Sequence, residues 1–261
     1  RHALTIIAFV GSVFSPYYRR ALRANPDTDA AEHCAVNVCL YGPGLHRWTM
    51  TERAQRHVRR EPRLFAVGPS RLLWTGRSLD LAIDERGAPL PRAVLGHMSV
   101  VPDGLPARAF ALDDAGRHRW QPIAPCARIH VDLHAPALRW SGTAYFDSNE
   151  GDEPIERGFT RWDWLRTASP DGSTTVVYDV EPRVGSGRVL AQRFTAGGQV
   201  QALAAPARQS LPRTTWWRVD RQVCAVQGRS GAIDGPPRVL RTLEDTPFYA
   251  RSLLDLSLDG Q

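Results

Sequence analysis

The heptapeptide SLDLAID, Ser78 to Asp84, decides the fold. Leu79, Leu81 and Ile83 project to one side, while Ser78, Asp80, Ala82 and Asp84 project to the other. Alternation with a period of two marks a strand with one face in a core. The same signature extends outward on both sides. In the first half it predicts strands over His2 to Phe14, His33 to Leu40, Arg47 to Glu52, Arg71 to Thr75, Val94 to Val100 and Arg108 to Leu112. In the second half it predicts Ala127 to Leu133, Leu138 to Phe146, Thr160 to Thr167, Thr174 to Glu181, Arg188 to Thr195, Val200 to Ala204 and Trp216 to Arg221. Turn signals separate them: Asp84-Glu85-Arg86-Gly87, Pro170-Asp171-Gly172 and Ala196-Gly197-Gly198. Tyr17 to Ala24 reads as one or two helical turns started by Pro16. The chain is all-β and antiparallel. Its half-polar strands need either a facing sheet or closure into a barrel.

Pro122, Pro125 and the break near Gly116 divide the chain into two β domains, 1–115 and 116–261. The length suits one large β domain or two of about 130 residues each. The formal charge of +6 comes from arginine alone, because the chain has no lysine. Those arginines are interspersed with Asp and Glu, and no nucleic-acid motif accompanies them, so nucleic acid is not an expected partner. Attraction to an anionic membrane surface is a use the charge leaves open. Without lysine there is no Schiff-base chemistry and no Walker-type phosphate lysine. Cys34, Cys39, Cys126 and Cys224 form no CxxC pair and read as reduced, buried thiols. No apolar run is long enough to span a membrane, and the opening segment reads as a strand rather than a signal peptide.

Chemistry concentrates between His118 and Trp164, where four of the eight tryptophans (Trp120, Trp140, Trp162, Trp164) accompany Tyr145 and several acids. Rings beside carboxyls suit a pocket that holds an apolar molecule and delivers a proton to it. Tyr145 and Asp147 share a strand face at spacing two, as do His118 and Trp120. Asp163 points away from both Trp162 and Trp164 and is the competing acid. Each has a plainer reading: Asp147 as a turn-forming carboxylate before Ser-Asn-Glu-Gly, Asp163 in a salt bridge, Trp120 and Tyr145 as core aromatics. His46-Arg47-Trp48 echoes His118-Arg119-Trp120. His130 and His134 do not have metal-ligand spacing on a strand, so no metal is expected. Gly185-Ser186-Gly187 lacks the strand-to-helix context of a dinucleotide site.

Several stretches together resemble the bacterial carotenoid 1,2-hydratases, also called hydroxyneurosporene synthases. They are LTIIAFVGSVFSPYY (Leu4 to Tyr18), CAVNVCLYG (Cys34 to Gly42), HRWTMTER (His46 to Arg53) and HRWQPIAPCARIHVDL (His118 to Leu133). WSGTAYFDSNEGDEPIERGFTRWDW (Trp140 to Trp164) and DTPFYARS (Asp245 to Ser252) complete the set, which covers nearly the whole chain. The resemblance implies tandem lipocalin-like antiparallel β-barrels. It also implies cofactor-independent hydration of the terminal 1,2 double bond of an acyclic carotenoid of neurosporene or lycopene type. The family pattern begins with a further aromatic-rich strand and continues past Phe248-Tyr249-Ala250-Arg251, so a first barrel strand is expected to be missing here.

The implied reaction protonates the less substituted carbon, and water captures the tertiary carbocation. On that basis Asp147 is the general acid, His118 sets its protonation or orients water, and Trp120 and Tyr145 line the cation. Trp140, Trp162, Trp164, Asp163, His46 and Trp48 are assigned to substrate binding. A long apolar pocket and a peripheral place on the cytoplasmic side of the inner membrane follow from an insoluble substrate. A non-catalytic isoprenoid or lipid carrier is the alternative of another class. A carbohydrate-active hydrolase is the third reading and would need two acids about 5 to 10 Å apart across a groove.

Overall fold

A computed structural model describes residues 2–87, 90–225 and 236–258. The chain divides into two compact units, Arg1–Ala107 with Pro122–Asp147, and Arg108–Gln121 with Ser148–Gln261.

In the first unit, β1 (Ala3–Val10), β2 (Cys34–Gly42) and β3 (Leu45–Met50) form an antiparallel sheet in the order β1-β2-β3. Between β1 and β2 runs the expected helix, α1 (Pro16–Ala24), whose N-cap Ser15 accepts a hydrogen bond from the Tyr18 amide at 2.9 Å. A larger sheet takes β4 (Val58–Glu61), β5 (Leu64–Val67), β6 (Ser70–Trp74), β7 (Leu79–Arg86), β8 (Ala93–Pro102), β9 (Phe110–Ala111), β10 (His118–Ala135) and β11 (Ala137–Gly151), of which β9, residues 118–121 of β10 and residues 148–151 of β11 belong to the second unit. Its order is β11-β10-β8-β7-β6-β5-β4, with β9 paired to the start of β10. The alternation of Ser78 to Asp84 holds: Leu79, Leu81 and Ile83 are buried in one core with Val36, Val38 and Leu40 of β2 and Met98, Val131 and Leu133. Every residue of β2 is buried.

In the second unit, β12 (Phe159–Ala168), β13 (Thr174–Pro182), β14 (Arg188–Phe194) and β15 (Val200–Ala202) pair in sequence order. A short helix, α2 (Ile155–Gly158), precedes β12. Two hairpins follow, β16 (Arg208–Leu211) with β17 (Arg221–Cys224) and β18 (Arg238–Thr246) with β19 (Tyr249–Asp255). Buried on both faces, β13 directs Val176, Tyr178 and Val180 one way and Val177 and Asp179 the other.

The expected lipocalin-like barrels are not formed. The sheets are antiparallel but open: among the described residues the large sheet ends on β4 at one side and β11 at the other. Closure requires terminal strands matched in length and tilt. Here a four-residue edge strand with exposed Arg59, Arg60 and Glu61 has no counterpart for the fifteen residues of β11. Description as membrane-associated also finds no support in the fold: no helix among the described residues is long and apolar enough to cross a membrane. The strand expected over Trp216 to Arg221 starts only at Arg221. Arg218 adopts φ 55, and Asp245 accepts from the amides of Trp216 and Trp217 at 2.8 and 3.3 Å, which bends the backbone out of any ladder.

Candidate functional site

Tyr145 and Asp147 lie near the C-terminal end of β11 in the first unit. Neighbouring Ala144 and Phe146, with Leu138 and Trp140, pack against the core. The intervening odd-numbered positions therefore take the opposite face of the strand. There the Tyr145 hydroxyl donates to Asp147 Oδ2 at 2.7 Å, and both side chains are half-buried. The bond fixes the carboxyl against the ring at its neighbouring same-face position.

His118 opens β10 in the second unit and is 4% exposed. Its Nδ1 is 2.9 Å from Asp113 Oδ2, and the same oxygen accepts from the His118 amide at 2.7 Å. The second oxygen, Oδ1, accepts from the Arg117 amide at 3.1 Å. Burial pulls the Asp113 carboxyl upward. The hydrogen bonds from the His118 ring and the two amides outweigh it, holding the group below the usual carboxylate range. The ring meets Phe159 edge to face at 4.8 Å.

Trp120 is fully buried, stacked on Phe110 at 5.1 Å and in contact with Tyr178 at 4.9 Å and Phe194 at 5.9 Å. Trp162 joins the cluster through Phe159 and Tyr178, whereas Trp164 is largely exposed. Asp163 faces Asp179 across the β12–β13 ladder. Arg161 Nε donates to Asp163 at 2.9 Å, and Arg208 donates to both oxygens of Asp179 at 2.8 and 2.6 Å. Burial, reinforced by the Asp179 charge and opposed by Arg161, pushes Asp163 up to about 6. Cys224 lies 3.6 Å from Asp179 Oδ2, and burial pushes its thiol up to about 12.

The other assigned binding residues are dispersed. In the first unit, Trp140 packs on the core and meets His2 at 5.6 Å. His46 stacks on Tyr41 at 5.5 Å, and Trp48 is exposed. Of the two concavities described, both in this unit, the larger holds about 650 Å³ and opens over the polar sheet face bearing Asp80, Ser99, His130 and Ser141. Trp140 borders it, but Asp147 and Tyr145 do not, and its lining mixes those polar groups with Leu73, Leu81, Met98 and Val131. No group of three or more His, Cys, Asp or Glu among the described residues is arranged to hold a metal ion.

Sequence reasoning missed Asp113 and Glu85. Asp113 precedes a turn through Gly116, and the hairpin bond from Leu112 N to His118 O brings acid and imidazole together. Its only sequence signal is an Asp five residues before a His across a turn. Glu85 continues the inward face of Leu79, Leu81 and Ile83 and is 1% exposed, with Ser70 donating to Oε1 at 2.7 Å. Burial raises its pKa against the lowering effect of that bond.

The model of the family described as "Carotenoid hydratase CrtC" matches residues 6–261. The chain belongs to this family. Acyclic carotenoid 1,2-hydratase of Rubrivivax gelatinosus is 52% identical over 264 residues, covering 100% of this chain and 63% of that protein. The enzyme of the same name from Thiocapsa roseopersicina is 50% identical, covering 100% of this chain and 62% of its own length. That of Cereibacter sphaeroides is 37% identical, over 98% of this chain and 87% of its own. The chain thus spans about three-fifths of the first two relatives' length. Among solved structures, an AttH assignment from Nitrosomonas europaea superposes with a TM-score of 0.53 at 12% identity, over 84% of this chain and 69% of that one, which is a likeness of fold alone.

Proposed function

We propose that this carotenoid hydratase family member adds water to the terminal 1,2 double bond of an acyclic carotenoid, of neurosporene or lycopene type, as a hydro-lyase without a cofactor. The observation that carries the reading is the Tyr145–Asp147 hydrogen bond on one strand face. An isolated trisubstituted alkene is not polarised, so its hydration begins with a positioned acid. The Asp147 proton goes to C2, leaving a tertiary cation at C1 and a carboxylate held by the Tyr145 hydroxyl. Water then forms the C1–O bond and gives up a proton, and the directing of that water is assigned to His118. Trp120, enclosed by other rings, is assigned to holding the start of β10, on which His118 stands. An acyclic carotene does not dissolve in water, so a peripheral place on the cytoplasmic side of the inner membrane belongs to the same proposal.

The test is isotopic. The chain is incubated with neurosporene or lycopene in D2O, and separately in water enriched in oxygen-18. One deuterium at C2 and one heavy oxygen at C1 are expected in the product. A hydroxylated product without deuterium at C2 would rule out proton addition. Absence of any hydroxylated product from the folded chain would favour the carrier reading.

A further inference from the structure

We propose that Asp113 is the positioning residue of His118: it holds the imidazole with its proton on Nδ1, so that Nε2 is a bare acceptor for the hydrating water. The inference rests on the hydratase reading for its function, but its structural part stands separately. An ionised carboxylate only accepts hydrogen bonds, so the 2.9 Å contact between Asp113 Oδ2 and His118 Nδ1 requires the ring to donate from Nδ1. Two backbone amides, those of Arg117 and His118, fix the carboxylate itself. The neutral ring then carries its lone pair on Nε2. That atom is buried and has no hydrogen-bond partner among the described residues, although buried polar atoms ordinarily have one.

Two glycines pack against the edges of the ring, Gly158 at Cε1 and Gly151 at Cδ2. A Cβ added at Gly158 would come within 2.4 Å of His118 Cε1 and 3.1 Å of both ring nitrogens, and one at Gly151 within 3.0 Å of Cδ2 and 3.4 Å of Nε2. Any side chain at Gly158 would force the ring to shift. Phe159 packs edge to face on the same imidazole. The ring is thus held by hydrogen bonds at Nδ1 and by close packing elsewhere, with Nε2 as its uncommitted polar atom.

In the step assigned to this dyad, a water oxygen donates a lone pair to the cation at C1, and the C–O bond forms. One O–H bond breaks, and its proton passes to the Nε2 lone pair. The resulting imidazolium keeps its Nδ1 proton on the Asp113 carboxylate. It later returns one proton to solvent, and the proton donor regains one from solvent, so the cycle balances. Asp113 touches neither substrate nor water. It acts by selecting the tautomer and orientation of the base, a role whose loss is costly where a His base depends on it.

The experiment pairs a spectroscopic with a kinetic readout on the chain, wild type and Asp113→Asn. With nitrogen-15 histidine at about pH 8, above the ordinary His value, the His118 ring is expected to show a protonated Nδ1 and a bare Nε2. Asp113→Asn should move the proton wholly or partly to Nε2. It should also lower carotene turnover at least about 100-fold, the lower end of a general-base contribution, with KM little changed. Asp113→Glu, which can still accept from Nδ1, should recover part of the loss. If Asp113→Asn does not fold, the wild-type spectrum and Gly158→Ala decide: the proposal expects Nδ1 protonation in the first and a displaced ring with lowered turnover in the second. A wild-type ring protonated on Nε2, or Asp113→Asn with unchanged tautomer and turnover, would overturn the proposal. A folded wild type that shows the Nδ1 tautomer but hydrates no carotene would instead overturn the hydratase reading and, with it, the role given to water.

Discussion

Replacing Asp163 with Asn removes one half-buried charge that faces a second carboxylate. Asp163 faces Asp179 across the β12–β13 ladder, and the strongest cationic contacts of the cluster go to Asp179. Arg161 must serve Asp163 at 2.9 Å, Asp179 at 3.5 Å and Glu181 at 2.9 Å. Burial first, then repulsion from Asp179, lift the Asp163 pKa from 3.8 to about 6. Each pKa unit is about 1.4 kcal/mol, so the shift corresponds to about 3 kcal/mol of cost to the charged form. The side chain keeps 32% of its exposure, and solvent screening reduces the figure to about 1–2 kcal/mol. Because the folded-state pKa is raised, the native state binds more protons than the unfolded state between pH 3.8 and about 6. Wild-type stability from this group is therefore full below 3.8 and falls as pH rises to about 6. Asn carries no charge and can still accept from Arg161. Urea unfolding at about pH 4 and pH 8 should give Asp163→Asn and wild type equal stability at the lower pH. At the higher pH the variant should be more stable by about 1–2 kcal/mol. A variant less stable by the same amount at both pH values would show instead that the Arg161 ion pair outweighs burial.

Trp120→Ala should cost about 3–5 kcal/mol in urea unfolding, because it opens a cavity among Phe110, Tyr178 and Phe194; a loss below about 1 kcal/mol would contradict a packed cluster. Tyr145→Phe removes the donor to Asp147 but keeps the ring, and carotene turnover should fall about 10- to 100-fold, the equivalent of one hydrogen bond to a charged group. Unchanged turnover would remove Tyr145 from the mechanism. Glu85→Gln should gain stability relative to wild type as pH rises from about 4 to about 8, since burial raises the Glu85 pKa and charge is penalised only above the ordinary value of 4.5. A pH-independent difference between the two proteins would contradict that placement.

Period-two alternation made the local fold legible: Leu79, Leu81 and Ile83 are inward, and Tyr145 and Asp147 share a face as their spacing requires. Closure was not legible, because whether β4 meets β11 depends on strand length and twist accumulated over the whole sheet. The β4–β5 hairpin escaped notice because Arg59, Arg60 and Arg63 interrupt its apolar pattern. At Trp216 to Arg221 the opposite happened: two tryptophans and a valine look like a strand, but side-chain bonds from Asp245 and Thr214 capture the backbone amides. Asp113 illustrates a third limit. Its link to His118 exists only once the β9–β10 hairpin sets its register, and an Asp beside a turn otherwise reads as a turn former.

If Asp147 supplies the proton for hydration, turnover must collapse in Asp147→Asn. The substitution keeps the size of the side chain and can still accept from Tyr145, but it cannot release a proton at this position. Wild type and variant are matched by their unfolding midpoints, incubated with neurosporene and with lycopene, and assayed by chromatography for the 1-hydroxy product. Product is expected from the wild type, with a loss of at least about 100-fold in the variant at an unchanged midpoint. A folded Asp147→Asn protein that hydrates carotene at the wild-type rate would contradict it.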